Sequence, residues 1–71
     1  MNRDEWIEAF ARELGVTPPS AEETADLLKL ASIAAHSSER PAAPLACFLA
    51  ARAGRPVAEL LAVAETINSA G

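Results

Sequence analysis

The sequence has few of the cysteine and histidine residues with which many small proteins form disulfide bonds or metal sites. Its 71 residues include one cysteine, one histidine and no tyrosine. A single cysteine excludes an internal disulfide, and no cluster of Cys and His stands at metal-ligand spacing, so we predict no metal site. No run of 18 apolar residues and no signal-peptide pattern is present, so we expect no membrane association and a reducing, cytoplasmic location.

Basic residues are also scarce. Six Lys and Arg stand against ten Asp and Glu, which gives a formal net charge of −4. Seven acids and two bases fall within residues 1–26, whereas residues 27–71 hold three acids and four bases. Nucleic-acid binding requires a basic face that neutralises phosphates, and this chain offers none. We therefore expect no nucleic-acid partner.

Alanine is abundant instead, with 17 copies in a chain that is 51% hydrophobic but only 4% aromatic. Small side chains allow helices to approach closely, and no segment alternates with the period of two that is typical of a strand. We predict one all-α domain over residues 1–71. A domain of this size buries only about 60% of the surface of its unfolded chain, so its stability margin should be thin.

Start and stop signals divide the chain into four helices, at about residues 3–14, 21–36, 41–53 and 56–68. Capping boxes begin the first two helices and pair Asn2 with Glu5 and Ser20 with Glu23. Prolines begin the other two, and a glycine follows the first and the third. The short connections favour a compact four-helix bundle.

The third predicted helix has no polar face over LACFLAA, residues 45–51. A helix that is apolar all round must be enclosed. Either it forms the centre of the bundle, or another subunit covers one of its sides.

Unusual residues gather in AHSSERPAAPLACF, residues 35–48, at the corner between the second and third helices. An up-and-down bundle would put this corner at the same end as both chain termini. We therefore expect His36, Glu39 and Arg40 to lie near Trp6 and the acids that precede it. These four residues are the candidate corner for a ligand or partner, and none is predicted to be catalytic.

Each of these residues has a structural and a functional interpretation. His36 is either an acid, base or ligand, or a partner for the last carbonyls of its helix, and the absence of a nucleophile beside it favours the second role. Glu39 and Arg40 either fasten the corner or bind a ligand. Trp6 is either a core or interface anchor, or a stacking platform. Cys47 is predicted to be a buried, inert thiol.

The stretch AAHSSERPAAPLACFLAARAG, together with WIEAFARELGV and LLKLASIAAH, resembles a small actinobacterial helical domain of unknown function. That domain occurs alone or fused C-terminally to molybdenum cofactor guanylyltransferase. The most specific part is His36 followed by ERPAAPL, residues 39–45. The resemblance implies a partner among cofactor-maturation enzymes or molybdoenzymes. It implies no activity, since that family has no established activity. The transferase reaction is not expected either, because this chain lacks the glycine-rich nucleotide-binding loop of the transferase.

Two functions remain open. The first is a non-enzymatic helical accessory or interaction module that self-associates or docks on a larger protein. The second is a domain that binds a small anionic ligand or cofactor through His36 and Arg40 at a helix N-terminus. An enzyme would need a paired acid and base in a pocket, so we rank it last and expect neither catalysis nor a bound cofactor.

Overall fold

Four α-helices form the fold in a computed structural model that describes the backbone of residues 1–70 and the side chains of residues 1–67. They are α1 (Arg3–Leu14), α2 (Ala21–Ser37), α3 (Ala42–Ala53) and α4 (Val57–Ala70). This part of the chain contains no strand. The predicted all-α four-helix bundle is confirmed, and every predicted helix boundary lies within two residues of the observed one. The last residue of the predicted domain, residue 71, lies outside the described residues.

The helix limits follow from local hydrogen bonds. At the start of α1, the Asn2 side chain accepts from the Glu5 N–H at 2.8 Å, and the Glu5 carboxylate accepts from the Asn2 N–H at 3.2 Å. Ser20 and Glu23 repeat this reciprocal pair at the start of α2, at 3.1 and 2.9 Å. Gly15 ends α1 with φ 71°, a left-handed conformation that other residues adopt only under strain. Both predicted capping boxes are therefore confirmed.

The centre of the bundle is α2, because this helix contacts both α3 and α4. Leu30 of α2 and Ala50 of α3 are buried, while the outward side chains of α3, Leu45 and Phe48, are exposed. Of the two alternatives for the LACFLAA helix, the central position is thus wrong. The described part of the chain leaves one side of α3 uncovered.

The connection between α1 and α2 departs from the up-and-down arrangement. Pro18 and Pro19 line a cleft of about 430 Å³ together with Arg3, Asp4 and the N-terminal half of α2. Proline holds its own backbone and that of the preceding residue in an extended conformation, so the connection runs back along α1. The N-terminal half of α1 therefore lies beside the N-terminal half of α2, and not beside its C-terminal end.

The folded chain exposes more surface than its mass predicts. Its accessible surface is 5461 Å², whereas a compact monomer of 7.4 kDa exposes about 4,200 Å². The radius of gyration is 12.9 Å, against roughly 11 Å for a compact domain of this length. Among the described side chains only Ala11, Leu30 and Ala50 are buried. The chain thus leaves about 1,200 Å² of surface that a compact monomer would cover.

Leu30 should contribute more to stability than any other leucine of α2. Its exposed fraction is 6%, whereas Leu28 of the same helix is 51% exposed. We expect Leu30→Ala to lower the free energy of unfolding by about 3 kcal/mol, because it leaves a cavity in the small core. The matched control Leu28→Ala should cost less than about 1 kcal/mol. Urea titrations followed by circular dichroism test this, and equal losses for the two variants would contradict the assignment of the core.

Candidate functional site

His36 occupies the last turn of α2, and its side chain is exposed. Its Nδ1 lies 3.2 Å from the hydroxyl oxygen of Ser32, one turn earlier. The carbonyl of Ala34 is instead bonded by Ser38, whose N–H and hydroxyl donate to it at 3.2 and 2.9 Å. The sequence predicted that His36 would bond the last carbonyls of its helix, whereas Ser38 donates to the Ala34 carbonyl.

Glu39 and Arg40 stand at the turn itself, and both are exposed. Their backbone carbonyls accept the N–H groups of Ala42 and Ala43, at 2.9 and 3.1 Å. Neither charged side chain forms a hydrogen bond or ion pair with the described side chains of residues 1–67. Backbone hydrogen bonds therefore hold the corner. Neither of the two charged side chains bonds to a described residue of α1.

The start of α3 offers few donors to an anion. Helix N-termini bind anions through N–H groups that have no intrahelical partner. Pro41 and Pro44 carry no N–H, and the N–H groups of Ala42 and Ala43 are already donated to carbonyls of the turn. An anion at this corner would therefore depend on the side chains of His36 and Arg40 alone.

Trp6 lies elsewhere in the molecule. Its ring is 53% exposed and stands 5.1 Å from the Phe10 ring, centroid to centroid. The first turns of α1 line the cleft together with residues 21–28 of α2, and at least eight residues of helix, about 12 Å, separate this half of α2 from His36. The predicted proximity of Trp6 to the corner is thus wrong, because the extended proline segment returns α1 to the opposite end of α2. The predicted site is divided between two regions.

A second concave surface was not predicted from the sequence. The α3–α4 groove, as we name it, is an open cavity of about 440 Å³ between α3 and α4, with α2 as its floor. Leu30 and Ile33 belong to the floor, and Leu49, Val63 and Ile67 belong to the walls. No charged residue lines this groove among the described side chains. Helical periodicity marks each apolar stripe separately, but it does not reveal that α3 and α4 stand apart.

A family model for a domain of unknown function, DUF6457, matches residues 1–70. The chain belongs to the DUF6457 family. No curated protein and no solved structure matches it. The sequence analysis predicted a resemblance to a domain family of unknown function, and this part of the prediction is confirmed.

The chemistry available on the DUF6457 domain is limited. The described residues contain no group of three or more His, Cys, Asp or Glu side chains able to hold a metal. Cys47 is half-buried rather than fully enclosed. The Arg52 guanidinium lies 4.6 Å from the centroid of the exposed Phe48 ring, a cation–π contact that shields part of this ring. Among the described residues, no helix is long and apolar enough to cross a membrane.

The corner allows a direct test of which groups fasten it. We expect Ser38→Ala to lower the free energy of unfolding by about 1 kcal/mol, because the Ala34 carbonyl loses its hydroxyl partner. Glu39→Ala and Arg40→Ala should each stay within about 0.5 kcal/mol of the wild type, since neither side chain has a bond to lose. Thermal unfolding measures all three. A loss for Arg40→Ala as large as that for Ser38→Ala would contradict this description.

Proposed function

We propose that the DUF6457 domain is a non-enzymatic interaction module whose exposed apolar surface is covered by protein, through self-association or on a larger partner. The observation that carries this proposal is the amount of apolar surface left open. Among the described side chains, eleven large apolar ones are exposed: Met1 at the N-terminus and ten others on all four helices and the first connection. Contiguous apolar surface on a small folded domain marks a site of protein contact.

The most prominent of these side chains on α1 are Trp6, Phe10 and Leu14. They recur at intervals of four residues and are all exposed, whereas Ile7 of the same helix lines the cleft against α2. The apolar stripe of α1 therefore has two sides. Ile7 faces the cleft against α2, whereas Trp6, Phe10 and Leu14 are exposed and form what we call the bare side of α1. Tryptophan and other aromatic side chains are frequent anchors of protein interfaces, because they bury a large area at a low entropic cost.

The absence of catalysis is part of the proposal and is supported by the content of both concave surfaces. As far as its side chains are described, the α3–α4 groove has no charged lining residue. The cleft beneath α1 contains Arg3 and Asp4, which form an exposed ion pair at 2.9 Å, and the exposed Glu8. An acid and a base with opposed roles need a protected pocket, and these exposed carboxylates do not provide one.

The single histidine also supports this proposal. The His36 ring contacts the hydroxyl of Ser32, and no carboxylate of the described side chains forms a hydrogen bond with it. Residues that transfer protons in enzymes are usually held by a third group. The alternative of an anionic ligand at the corner receives less support, since the first turn of α3 has no backbone donor to offer it.

A test of the proposed function uses the purified chain and a dye that fluoresces on apolar surfaces. We expect either a mass above 7.4 kDa or a strong rise in dye emission, because the bare surface must be covered or accessible. Phe10→Ser should lower the dye signal of any monomer, whereas Arg12→Ser, an exposed polar position on the same helix, should leave it unchanged. A monomer that binds no dye would contradict the proposed function.

The class of larger partner is proposed from the sequence resemblance alone. The resemblance of AAHSSERPAAPLACFLAARAG implies that such domains occur fused to molybdenum cofactor guanylyltransferase, and on this ground we propose a cytoplasmic partner among cofactor-maturation enzymes or molybdoenzymes. We expect such an enzyme to co-purify with the tagged domain from a native lysate. Its loss with Trp6→Ala, but not with Arg12→Ser, would assign the contact to the bare side of α1. Retention of unrelated proteins only would remove this partner class.

A further inference from the structure

We propose that two copies of the chain associate by packing the bare side of α1 on the outer face of α3, which we define by Leu45, Phe48 and Arg52. This inference rests on the proposed function and identifies its partner as a second copy of the chain. Both faces are open in the single chain, since the extensive contacts between the described helices are those of α2 with α3 and with α4. The residue pattern, the charge and the placement of the two faces support this occupant.

On α1, two aromatic residues and an acid lie along one side of the helix. Trp6, Phe10 and Glu13 follow one another at intervals of four and three residues, and residues at these intervals are neighbours on a helix surface. The Trp6 and Phe10 side chains are about half exposed, and their ring centroids lie 5.1 Å apart. The exposed Glu13 carboxylate forms no hydrogen bond or ion pair with the described side chains. The bare side of α1 thus presents an aromatic surface with an acid at its C-terminal end.

The outer face of α3 repeats this pattern with the opposite charge. Leu45, Phe48 and Arg52 follow one another at intervals of three and four residues, and Leu45 and Phe48 are more than half exposed. The Arg52 guanidinium lies 4.6 Å from the centroid of the Phe48 ring and forms no ion pair with a described carboxylate. Each face extends over seven residues, or roughly 10 Å along its helix. A parallel alignment therefore sets Phe10 against Phe48 and Glu13 against Arg52.

The distribution of charge limits which faces of two copies attract each other. Residues 1–26, which include α1, hold seven acids and two bases, so two such segments repel each other. Residues 40–58, which include α3, hold three arginines and no acid. Among the four helices, α3 alone contains no acid. The approach of α1 to α3 is consequently the pairing of helices that charge favours.

The two faces do not meet within one chain. Ile7 of α1 lines the cleft against α2 and Ala11 is buried, so the side that carries Trp6 and Phe10 faces away from α2. α3 packs on the same α2, and its outer face stays exposed. A second copy brings the two faces together. Each copy carries both of them, so a reciprocal pair closes as a dimer, and a one-sided contact continues into larger species.

Sedimentation equilibrium over a concentration series tests this proposal with charge reversals that are matched in net charge. We expect the wild-type mass to rise to at least twice 7.4 kDa. Arg52→Glu places an acid opposite Glu13 and should raise the dissociation constant about tenfold. Lys29→Glu makes the same change in net charge at an exposed position of α2 and should raise the dissociation constant much less.

The reverse change on α1 separates specific pairing from net charge. Glu13→Arg makes the chain less acidic, which by itself favours association, but it places a base opposite Arg52 and should weaken association. Glu22→Arg, at an exposed position of α2, changes the net charge equally and should not weaken it.

The double variant Glu13→Arg/Arg52→Glu restores opposite charges across the contact. Its dissociation constant should return to within about threefold of the wild-type value. A fold damaged by Arg52→Glu would not be repaired by a second substitution on the surface of α1, so this recovery identifies the pair. Circular dichroism verifies that each variant remains helical.

The single tryptophan provides a second measurement. Trp6 is the only tryptophan of the chain, and its emission should shift to shorter wavelength as the protein concentration rises, because association buries its ring. Phe48→Ser should abolish this shift at equal concentration. Val63→Ser, at an exposed apolar position of the α3–α4 groove, should leave the shift unchanged.

Four outcomes would overturn the proposal. A wild-type chain that stays monomeric and binds the apolar dye would exclude this self-association but leave the proposed function intact. Equal effects of Arg52→Glu and Lys29→Glu, or a double variant as weak as the single ones, would exclude the pairing of α1 with α3. Loss of the Trp6 shift in Val63→Ser but not in Phe48→Ser would assign the contact to the groove. A monomer that binds no dye would contradict both proposals.

Discussion

The packing of α2 against both α3 and α4 is the interaction on which the rest of the structure depends. Leu30 and Ala50 are buried at the contact with α3, and little else in the described chain is fully enclosed. With 17 alanines and 4% aromatic residues, the helices approach closely but present few large side chains to bury. Hydrophobic stabilisation scales with the apolar area removed from water, so one chain by itself has little to gain from folding more tightly.

This constraint links the fold to the proposed function. An apolar helix such as α3 stays in water only at a cost, and among the described helices only α2 makes an extensive contact with it. In the proposed function, a protein partner would bury this exposed apolar surface, and binding would then couple folding to association. The α3–α4 groove and the bare side of α1 are then two surfaces of different character. The first has no charged lining residue among the described side chains, whereas acids flank the second.

The sequence predicted the helices well because their limits depend on neighbouring residues. The capping residues Asn2 and Ser20 and the glycines that end helices interact with residues no more than four positions away. Helix limits of this kind can therefore be predicted from the sequence pattern. The path of the chain was harder to predict: Pro18 and Pro19 turn the connection back along α1, which places Trp6 far from His36. The groove was missed because the separation of α3 and α4 is a property of tertiary packing. The position of the corner between α2 and α3 was predicted from the sequence, but Ser38, which bonds the end of α2, was not among the residues singled out there.

The central claim is that self-association covers the apolar surface that the single chain leaves open, and that this covering stabilises the fold. The most direct measurement is the melting temperature as a function of protein concentration. If folded dimers unfold to separate chains, a hundredfold rise in concentration should raise Tm by roughly 5–10 °C for a domain of this size. A Tm that stays constant over that range would contradict the account.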